Sequence, residues 1–359
     1  MNAARAAAIA VTLHVVRLGI AAIVALVLPL AGANPAGAQP PDLSTLETTL
    51  NRIASGSRGK IGLALIHLES GRHITIRGHE RFPMASVVKL PIALALLKQV
   101  ADRTSTLDRG VWLDASDIRP CCTLSRRHPF GGVTRSVREL LELMMIESDN
   151  TAADAVLEIV GGPPVVERRL RAFGFGNINV NRSEGQLLLE MAGVIAPPPE
   201  EWTLELQRRL VAEVSKNMLN EGRAWYLQDE RDTATPYDMA ALLGRLQLQD
   251  LLPQSQTNLL LALMARSTTG WRRLKGRLPA ETLVAHKTGT TSIVINDVGI
   301  MHLPPDGNIR GRLAIAVFVT GGLSIAGMER SIAQIGAAVF EFFSGKRLPD
   351  PPRRRRARR

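Results

Sequence analysis

Ser86-Val87-Val88-Lys89 stands between a turn-like Arg81-Phe82-Pro83 segment and an apolar run over residues 90–100. An apolar run of this length after a turn predicts a buried helix whose first turns carry the Ser and the Lys. Residues three apart share a helix face, so the Lys89 amine can reach the Ser86 hydroxyl. A helix N-terminus also offers free backbone N–H groups to a developing oxyanion. The tetrapeptide therefore has the arrangement that an activated serine nucleophile requires.

Two triplets, Ser148-Asp149-Asn150 and Lys287-Thr288-Gly289, follow the tetrapeptide in the chain. Ser-x-x-Lys alone has little weight, because Ser57-Arg58-Gly59-Lys60 has the same spacing within a polar loop. A lone Ser or Asn near a helix start is usually a cap, and a lone Lys is usually a solvated charge. The order and context of all three motifs favour the catalytic interpretation instead. It applies to five polar members of the motifs: Ser86, Lys89, Ser148, Asn150 and Lys287.

This set of motifs resembles the signature of the class A serine β-lactamases and the penicillin-binding proteins. The intervals from Ser86 to Ser148 and from Ser148 to Glu184 are similar to the class A pattern. Residues 182–187 then match the class A Arg-x-Glu-x-x-Leu element, and Glu184 falls on its general-base glutamate. Penicillin-binding proteins lack this glutamate. The resemblance, which covers roughly the whole mature chain, therefore implies a hydrolase that completes turnover.

The fold that the resemblance implies is α+β, with an antiparallel five-stranded sheet flanked by helices and an additional all-helical lobe. The apolar patterns agree with it. They predict a helix over residues 43–55, strands over 61–68, 73–77, 283–290, 293–303 and 313–320, a mainly helical stretch over 98–263, and a helix over 328–343. We expect a single domain over residues 39–348, with the site in the cleft between its two lobes.

The catalytic roles are also those that the resemblance implies. Ser86 would attack the lactam carbonyl after losing its proton to Lys89 or, through a water, to Glu184, two routes that stay open. Ser148 would pass a proton to the leaving nitrogen beside Lys287. Glu184 would then activate the water that cleaves the acyl-enzyme. The implied substrate is a small β-lactam. No cofactor is implied, and the seven histidines form no metal-binding motif.

The implied substrate contacts involve the second and third motifs. Asn150 would hydrogen-bond the acylamide side chain, and the backbone N–H groups of Ser86 and Thr290 would hold the oxyanion. The substrate carboxylate would lie against Thr288 and Gly289, with Arg273 as a further partner. The stretch around Arg273 contains three other basic residues, so the sequence leaves open which of them points into the cleft: Arg272, Lys275 and Arg277.

The loop that carries Glu184 departs from the class A pattern in two ways. Class A enzymes commonly have an Asn that helps to hold the hydrolytic water, where this chain has Leu188. The resemblance also implies that Asp232 closes the loop by pairing with Arg182, but the stretch from Glu184 to Asp232 is much longer than compact loops of about 6–16 residues. We expect an insertion at about residues 192–226, whose apolar spacing predicts one inserted helix.

The two ends of the chain predict export. Residues 1–38 have a basic start, an apolar core and the small residues Ala36-Gly37-Ala38, which is typical of a cleavable signal peptide. The apolar core is shorter than the 18 or more residues expected of a membrane span, although an uncleaved anchor is the alternative. We therefore expect a periplasmic or secreted protein, without a membrane span in the mature form.

The net charge of +11 does not indicate nucleic-acid binding, because most of it lies at the two ends of the chain. Two arginines belong to the signal peptide, and the tail over residues 349–359 has six arginines and Asp350, a net charge of +5, which leaves +4 for the domain. We expect this tail to be disordered and solvated, with attraction to anionic envelope polymers as the alternative.

Several smaller features complete the expectations. Cys121 and Cys122 are adjacent, and the sequence leaves free thiols and a vicinal disulfide equally open. His286, before the third motif, is interpreted as structural. Nothing in the sequence indicates a dimer, so we expect a monomer.

The favoured function is hydrolysis of the β-lactam ring. The alternatives are a peptidoglycan DD-peptidase or penicillin-binding protein, motivated by Leu188 and the altered loop, and a non-catalytic wall- or lactam-binding protein. The sequence does not distinguish penicillins, cephalosporins and carbapenems as preferred substrates.

Overall fold

The computed structural model describes residues 42–349, and the strands in this range form one large and two small antiparallel sheets. The strands are β1 Lys60–His67, β2 His73–Ile76, β3 Phe82–Pro83, β4 Gly110–Leu113, β5 Val133–Ser136, β6 Thr233–Ala234, β7 Val284–Thr290, β8 Val294–His302 and β9 Arg312–Thr320. The large sheet has the order β2-β1-β9-β8-β7, whereas β3 pairs with β6 and β4 with β5. The predicted five-stranded antiparallel sheet is confirmed, with each strand end within one residue of the prediction.

The α-helices in the same range cover both faces of the large sheet and build a separate helical lobe. They are α1 Ser44–Gly56, α2 Lys89–Ala101, α3 Cys122–Arg127, α4 Val137–Glu142, α5 Asn150–Val160, α6 Pro163–Ala172, α7 Glu184–Met191, α8 Leu204–Ala212, α9 Lys216–Tyr226, α10 Pro236–Gln247, α11 Gln254–Ala265 and α12 Ile325–Ser344. Helix α12 begins three residues before its predicted start, because the Ser324 side chain accepts a hydrogen bond from the Gly327 N–H and caps it.

The two faces of the large sheet contribute to two different cores, since successive side chains of a strand point to opposite faces. On β9, Ile315 and Val317 belong to a core that also contains apolar residues of α1 and α12. Their neighbours Ala316 and Phe318 belong to a core shared with α2, α5 and α10. The sheet thus joins the terminal helices to the helical lobe.

Helix α2 runs through this second core. All residues from Lys89 to Leu97 are buried, as expected for a helix that is apolar on every side. Pro91 lies in the first turn, where a backbone N–H has no partner within the helix, so the ring is tolerated. Burial of α2 fixes its N-terminus, and with it Ser86, at the junction of the sheet and the helical lobe.

One expectation about the middle of the chain is confirmed and one requires correction. Residues 98–263 are mainly helical, as predicted, and the short paired strands β4, β5 and β6 also lie there. The predicted insertion over residues 192–226 contains two helices, α8 and α9, instead of one. Thr203 caps the first and Ser215 caps the second, each through a side-chain oxygen that accepts a backbone N–H.

The predicted signal peptide over residues 1–38 and the Arg-rich tail from residue 350 lie outside the described residues. Within residues 42–349, no helix has both the length and the apolar character needed to cross a membrane.

Candidate active site

Ser86 lies in a short 3-10 turn, Ala85–Val88, that leads directly into α2. The edge strand β7 approaches this turn so closely that a Cβ on Gly289 would lie 2.3 Å from the Met84 carbonyl oxygen. Only glycine fits there. The neighbouring strand β8 also holds the turn, since the Asn296 Nδ2 donates to the carbonyl oxygens of Pro83 and Met84, at 2.9 Å each.

The backbone around the nucleophile is strained. Ala85 has a φ of 47° and Ser148 a φ of 62°, in the left-handed region that residues with a Cβ rarely adopt. Such conformations cost of order 1–3 kcal/mol each and persist where the surroundings impose them, most often at functional sites. Both residues lie within or next to the predicted site.

The amine of Lys89 is the centre of the polar cluster. Its Nζ lies 3.2 Å from the Ser86 Oγ and 3.2 Å from the Glu184 Oε1. It donates to the Asn150 Oδ1 at 2.7 Å and to the Ser148 carbonyl oxygen at 2.6 Å. Lys89 is fully buried, so these partners replace the water that an exposed lysine would have.

Lys287 approaches the cluster from β7. Its Nζ donates to the Ser148 Oγ at 2.8 Å and to the Thr288 carbonyl oxygen at 3.0 Å. Burial, and then the charge of Lys89, lower the pKa of Lys287 well below the usual lysine value. Two lysines therefore lie on either side of one serine hydroxyl, since the Lys89 Nζ is 3.3 Å from the same Ser148 Oγ.

Glu184 is the first residue of α7 and its carboxylate points towards Ser86. The Glu184 Oε1 lies 3.4 Å from the Ser86 Oγ. Asp154 of α5 holds the start of the helix, because its Oδ1 accepts the Glu184 N–H at 2.6 Å and its Oδ2 accepts the Gly185 N–H at 3.1 Å. Burial raises the pKa of Asp154, while Arg119 acts in the opposite direction. Sequence reasoning did not identify Asp154, since no motif marks it.

Arg182 and Asp232, the pair that the resemblance implied, are joined by a 2.6 Å contact between Nε and Oδ2. Both side chains are buried, with exposed fractions of 1% and 2%. The Arg182 Nη1 also contacts Asp229 at 2.9 Å and Glu190 at 2.8 Å. This network ties α7 to the segment that precedes β6, and so anchors the helix that carries Glu184.

Replacing Arg182 with Ala is expected to destabilise the protein by about 3–5 kcal/mol, because it leaves buried carboxylates without their counter-charge. The free energy of unfolding in urea measures this. Arg231→Ala is the matched control, since Arg231 contacts the same Glu190 and Asp229 but is 39% exposed. It is expected to cost less than about 1 kcal/mol. Equal losses in the two variants would contradict the expectation.

Arg273 reaches the site from behind β7. Its guanidinium is buried and donates to the carbonyl oxygens of Gly289 and Asn296, at 3.1 and 2.9 Å. A further bond of 2.7 Å goes to the Thr290 Oγ1, and the Thr290 side chain is exposed at the cleft. The guanidinium of Arg273 thus contacts the Thr290 hydroxyl, which faces the cleft. Arg272, by contrast, is exposed and stacks on a tryptophan.

A cavity of about 310 Å³ is lined by Ser86 together with residues of all three motifs. One wall is apolar and contains Leu188 and Met191. Thr269, which sequence reasoning did not identify, also lines the cavity, and its Oγ1 lies 2.6 Å from the Thr288 Oγ1. The Thr288 hydroxyl is therefore held in place by a second hydroxyl.

Cys121 and Cys122 form a vicinal disulfide, one of the two arrangements that the sequence left open. Both residues have positive φ, and both line the cavity. The preceding Pro120 accepts a hydrogen bond from the Asn150 Nδ2 at 3.1 Å. The disulfide is therefore part of the cleft wall.

His286 is buried in β7 and is not among the residues that line the cavity. Its Nδ1 is 2.8 Å from the Asp297 Oδ1, and both side chains are fully buried. Asp297 also accepts the Leu274 N–H at 3.0 Å, so the pair links β7 and β8 to the segment behind them.

The sequence over residues 45–343 matches the model of the β-lactamase enzyme family. A β-lactamase of Proteus vulgaris is 29% identical over 72% of this chain and 82% of its own length. The β-lactamase L2 of Stenotrophomonas maltophilia is 30% identical over 89% of this chain and 94% of its own length. A solved structure of an ancestral class A β-lactamase, 30% identical, superposes with a TM-score of 0.67 and covers 83% of this chain and 100% of its own.

The fold and these matches define a class A β-lactamase-like hydrolase. The chain belongs to the β-lactamase enzyme family, and the predicted resemblance is thereby confirmed.

Proposed function

We propose that this chain hydrolyses the β-lactam ring of penicillin- or cephalosporin-type antibiotics through an acyl-enzyme on Ser86. One observation supports this most directly: Glu184 and Lys89 both lie within 3.4 Å of the Ser86 hydroxyl. A serine with two candidate bases can form an acyl-enzyme and then be freed from it. One base can take the proton of the serine, and the other can take the proton of the hydrolytic water.

Acylation begins with attack of the Ser86 Oγ on the lactam carbonyl carbon. The hydroxyl proton passes to Lys89 directly, or to Glu184 through a water. The C–N bond of the ring then breaks, the nitrogen takes a proton from Ser148, and Ser148 regains the proton that left Ser86 through Lys89, whose Nζ lies 3.3 Å from the Ser148 Oγ. The 2.8 Å bond that the Lys287 Nζ donates to the Ser148 Oγ supports this role, since a hydrogen-bond donor there stabilises the oxygen as its proton leaves.

Deacylation uses Glu184. The carboxylate takes a proton from a water whose oxygen attacks the ester carbonyl, the ester C–O bond breaks, and the proton held by Glu184 passes to the Ser86 Oγ. Leu188 provides no hydrogen bond to that water, so its position depends on the placement of Glu184 itself. The buried bonds of Asp154 to the start of α7 supply that placement.

Substrate binding is assigned to the edge of β7 and to Asn150. The Asn150 amide has two hydrogens, and one of them donates to Pro120, which leaves the other for the acylamide side chain. The substrate carboxylate would lie against Thr288, Gly289 and Thr290, with Arg273 adding its charge through the Thr290 hydroxyl. The backbone N–H groups of Ser86 and Thr290 would hold the oxyanion.

Export, antibiotic resistance and a monomeric single domain over residues 39–348 belong to the same proposal. The basic start, apolar core and small-residue site of residues 1–38 support cleavage and release outside the cytoplasm. An enzyme that destroys β-lactams there would protect cell-wall synthesis. The six arginines of the tail are proposed to be solvated.

The test is to incubate the mature protein with a chromogenic cephalosporin while following colour and intact protein mass. Sustained turnover without a lasting adduct supports the β-lactamase. The DD-peptidase alternative, which Leu188 motivates, would give one stoichiometric burst and a persistent adduct. No adduct and no colour would leave only a binding protein.

A further inference from the structure

The insertion packs directly against the residues that hold the general base. Trp202 lies in it, between Pro199–Glu201 and α8, and is only 3% exposed. The Arg119 guanidinium lies 4.7 Å from the centre of the Trp202 ring, and the Trp202 Nε1 donates to the Pro197 carbonyl oxygen at 2.7 Å. The tryptophan is thus fixed at one end and covers a cation with its face.

Arg119 connects this tryptophan to Asp154. Its Nε donates to the Asp154 Oδ2 at 2.7 Å, and its Nη1 donates to the Ser116 carbonyl oxygen at 2.5 Å. A buried carboxylate requires a counter-charge, and among the contacts in residues 42–349 Arg119 is the basic partner of Asp154. Asp154 in turn accepts the backbone N–H of Glu184, so three side chains link the insertion to the general base.

The space between these groups is filled. A Cβ on Gly185 would lie 2.5 Å from the Trp202 Cζ3 and 2.6 Å from the Arg119 Nε. The insertion makes a second contact with the same segment, since the buried Gln207 of α8 donates to the Ile118 carbonyl oxygen at 2.9 Å. Arg119 is therefore packed against Gly185, the residue that follows Glu184, and Gln207 holds Ile118, the residue that precedes Arg119.

We propose that Trp202 and Arg119 are positioning residues for Glu184, and that they form, together with Asp154, a brace that supports deacylation. We use the term brace for Trp202, Arg119 and Asp154 together. The inference rests on the proposed function, because it requires Glu184 to activate the deacylating water. Where Leu188 cannot hold the water, a fixed Glu184 matters more.

The consequence is a selective effect on one chemical step. Removing the Trp202 ring frees the Arg119 guanidinium, which then holds Asp154 and the start of α7 less firmly. Misplacement of a catalytic group by about 1 Å costs up to about 100-fold in rate. Acylation by the direct route needs only Ser86 and Lys89, which are fixed by α2 and the sheet, so on that route acylation is expected to change less than about twofold.

The test is to measure acylation by stopped flow and deacylation by the decay of adduct mass, in the mature wild type and in Trp202→Ala. We expect deacylation to be slower by about 10- to 100-fold, with acylation slowed no more than it is in Glu184→Gln measured in parallel. Trp202→Phe keeps an aromatic face over Arg119 and is expected to restore most of the rate. Met218→Ala, at a residue of the same insertion that is 45% exposed, is the matched control and is expected to resemble the wild type.

Arg119→Lys extends the test if Trp202→Ala does not fold, because it keeps a cation near Asp154 and loses the planar group that Trp202 covers. It too is expected to slow deacylation by about 10-fold or more. Acylation that slows more than it does in Glu184→Gln, or a smaller burst with unchanged rate constants, would indicate a purely structural role and overturn the brace. A wild type that shows neither turnover nor an adduct would overturn the proposed function, and the brace with it, whereas unchanged deacylation in the variants overturns the brace alone.

Discussion

Replacing Ser86 with Ala is expected to lower β-lactam turnover by about 10⁶-fold and to abolish the covalent adduct. The reason is that Lys89 and Glu184 can only act on an oxygen that attacks the carbonyl, and the Ser86 Oγ is the atom that both of them approach, at 3.2 and 3.4 Å. Without it, the remaining groups bind the substrate but cannot form the ester. Initial rates with a chromogenic cephalosporin and intact protein mass measure the two effects.

Ser57→Ala is the matched control, because Ser57 begins the other Ser-x-x-Lys sequence in the chain. Its hydroxyl contacts the Ser331 Oγ at 3.3 Å on the α12 side of the sheet. This variant is expected to keep wild-type turnover. An adduct that persists on Ser86→Ala, or that disappears on Ser57→Ala, would contradict the assignment of the nucleophile.

These two serines show what the sequence predicts well. Ser86 precedes an apolar run that is long enough to be a buried helix, and the same logic of period and length placed all five strands of the large sheet. Local apolar patterns are sufficient there because each element buries a face, or its whole surface, in one of the two cores. The three motifs could be read for the same reason, since each lies at the end or edge of such an element.

The insertion shows where the pattern was incomplete. The apolar spacing after Trp202 predicted one helix, but Ser215 starts a second by accepting the Met218 N–H. A Ser before a polar helix start is a weak signal by itself, so the apolar spacing alone suggested a continuous element. The result is a pair of short helices, with Trp202 of the preceding turn directed at Arg119.

Asp154, Arg119 and Thr269 were beyond sequence reasoning for a different reason. None belongs to a motif, and each acquires its role only when segments far apart in the chain meet: Asp154 and Glu184 are 30 residues apart. Arg273 is intermediate. The sequence identified a basic stretch, and the structure distinguishes its members by burial, since Arg273 is only 4% exposed and bonds to the carbonyl oxygens behind β7.

Replacing Glu184 with Gln is expected to convert the enzyme into a form that accumulates its acyl adduct. Gln keeps the shape of the side chain but cannot accept a proton, so the deacylating water loses its base. General-base catalysis of this kind contributes about 10²–10⁴-fold, and the deacylation rate constant should fall by that factor. Adduct mass followed after mixing with a penicillin measures the fall. Glu158→Gln removes the same charge from an exposed position of α5 and is expected to show no adduct.

The same variant also separates the two routes of acylation. If Lys89 takes the Ser86 proton directly, Glu184→Gln still acylates at a rate close to that of the wild type, because the 3.2 Å contact between the Lys89 Nζ and the Ser86 Oγ does not involve the carboxylate. If the proton travels through a water to Glu184, acylation slows together with deacylation and less adduct accumulates. Wild-type turnover in the variant would exclude Glu184 from both steps, and the 3.4 Å approach of its Oε1 to Ser86 would then serve only to neutralise the buried Lys89.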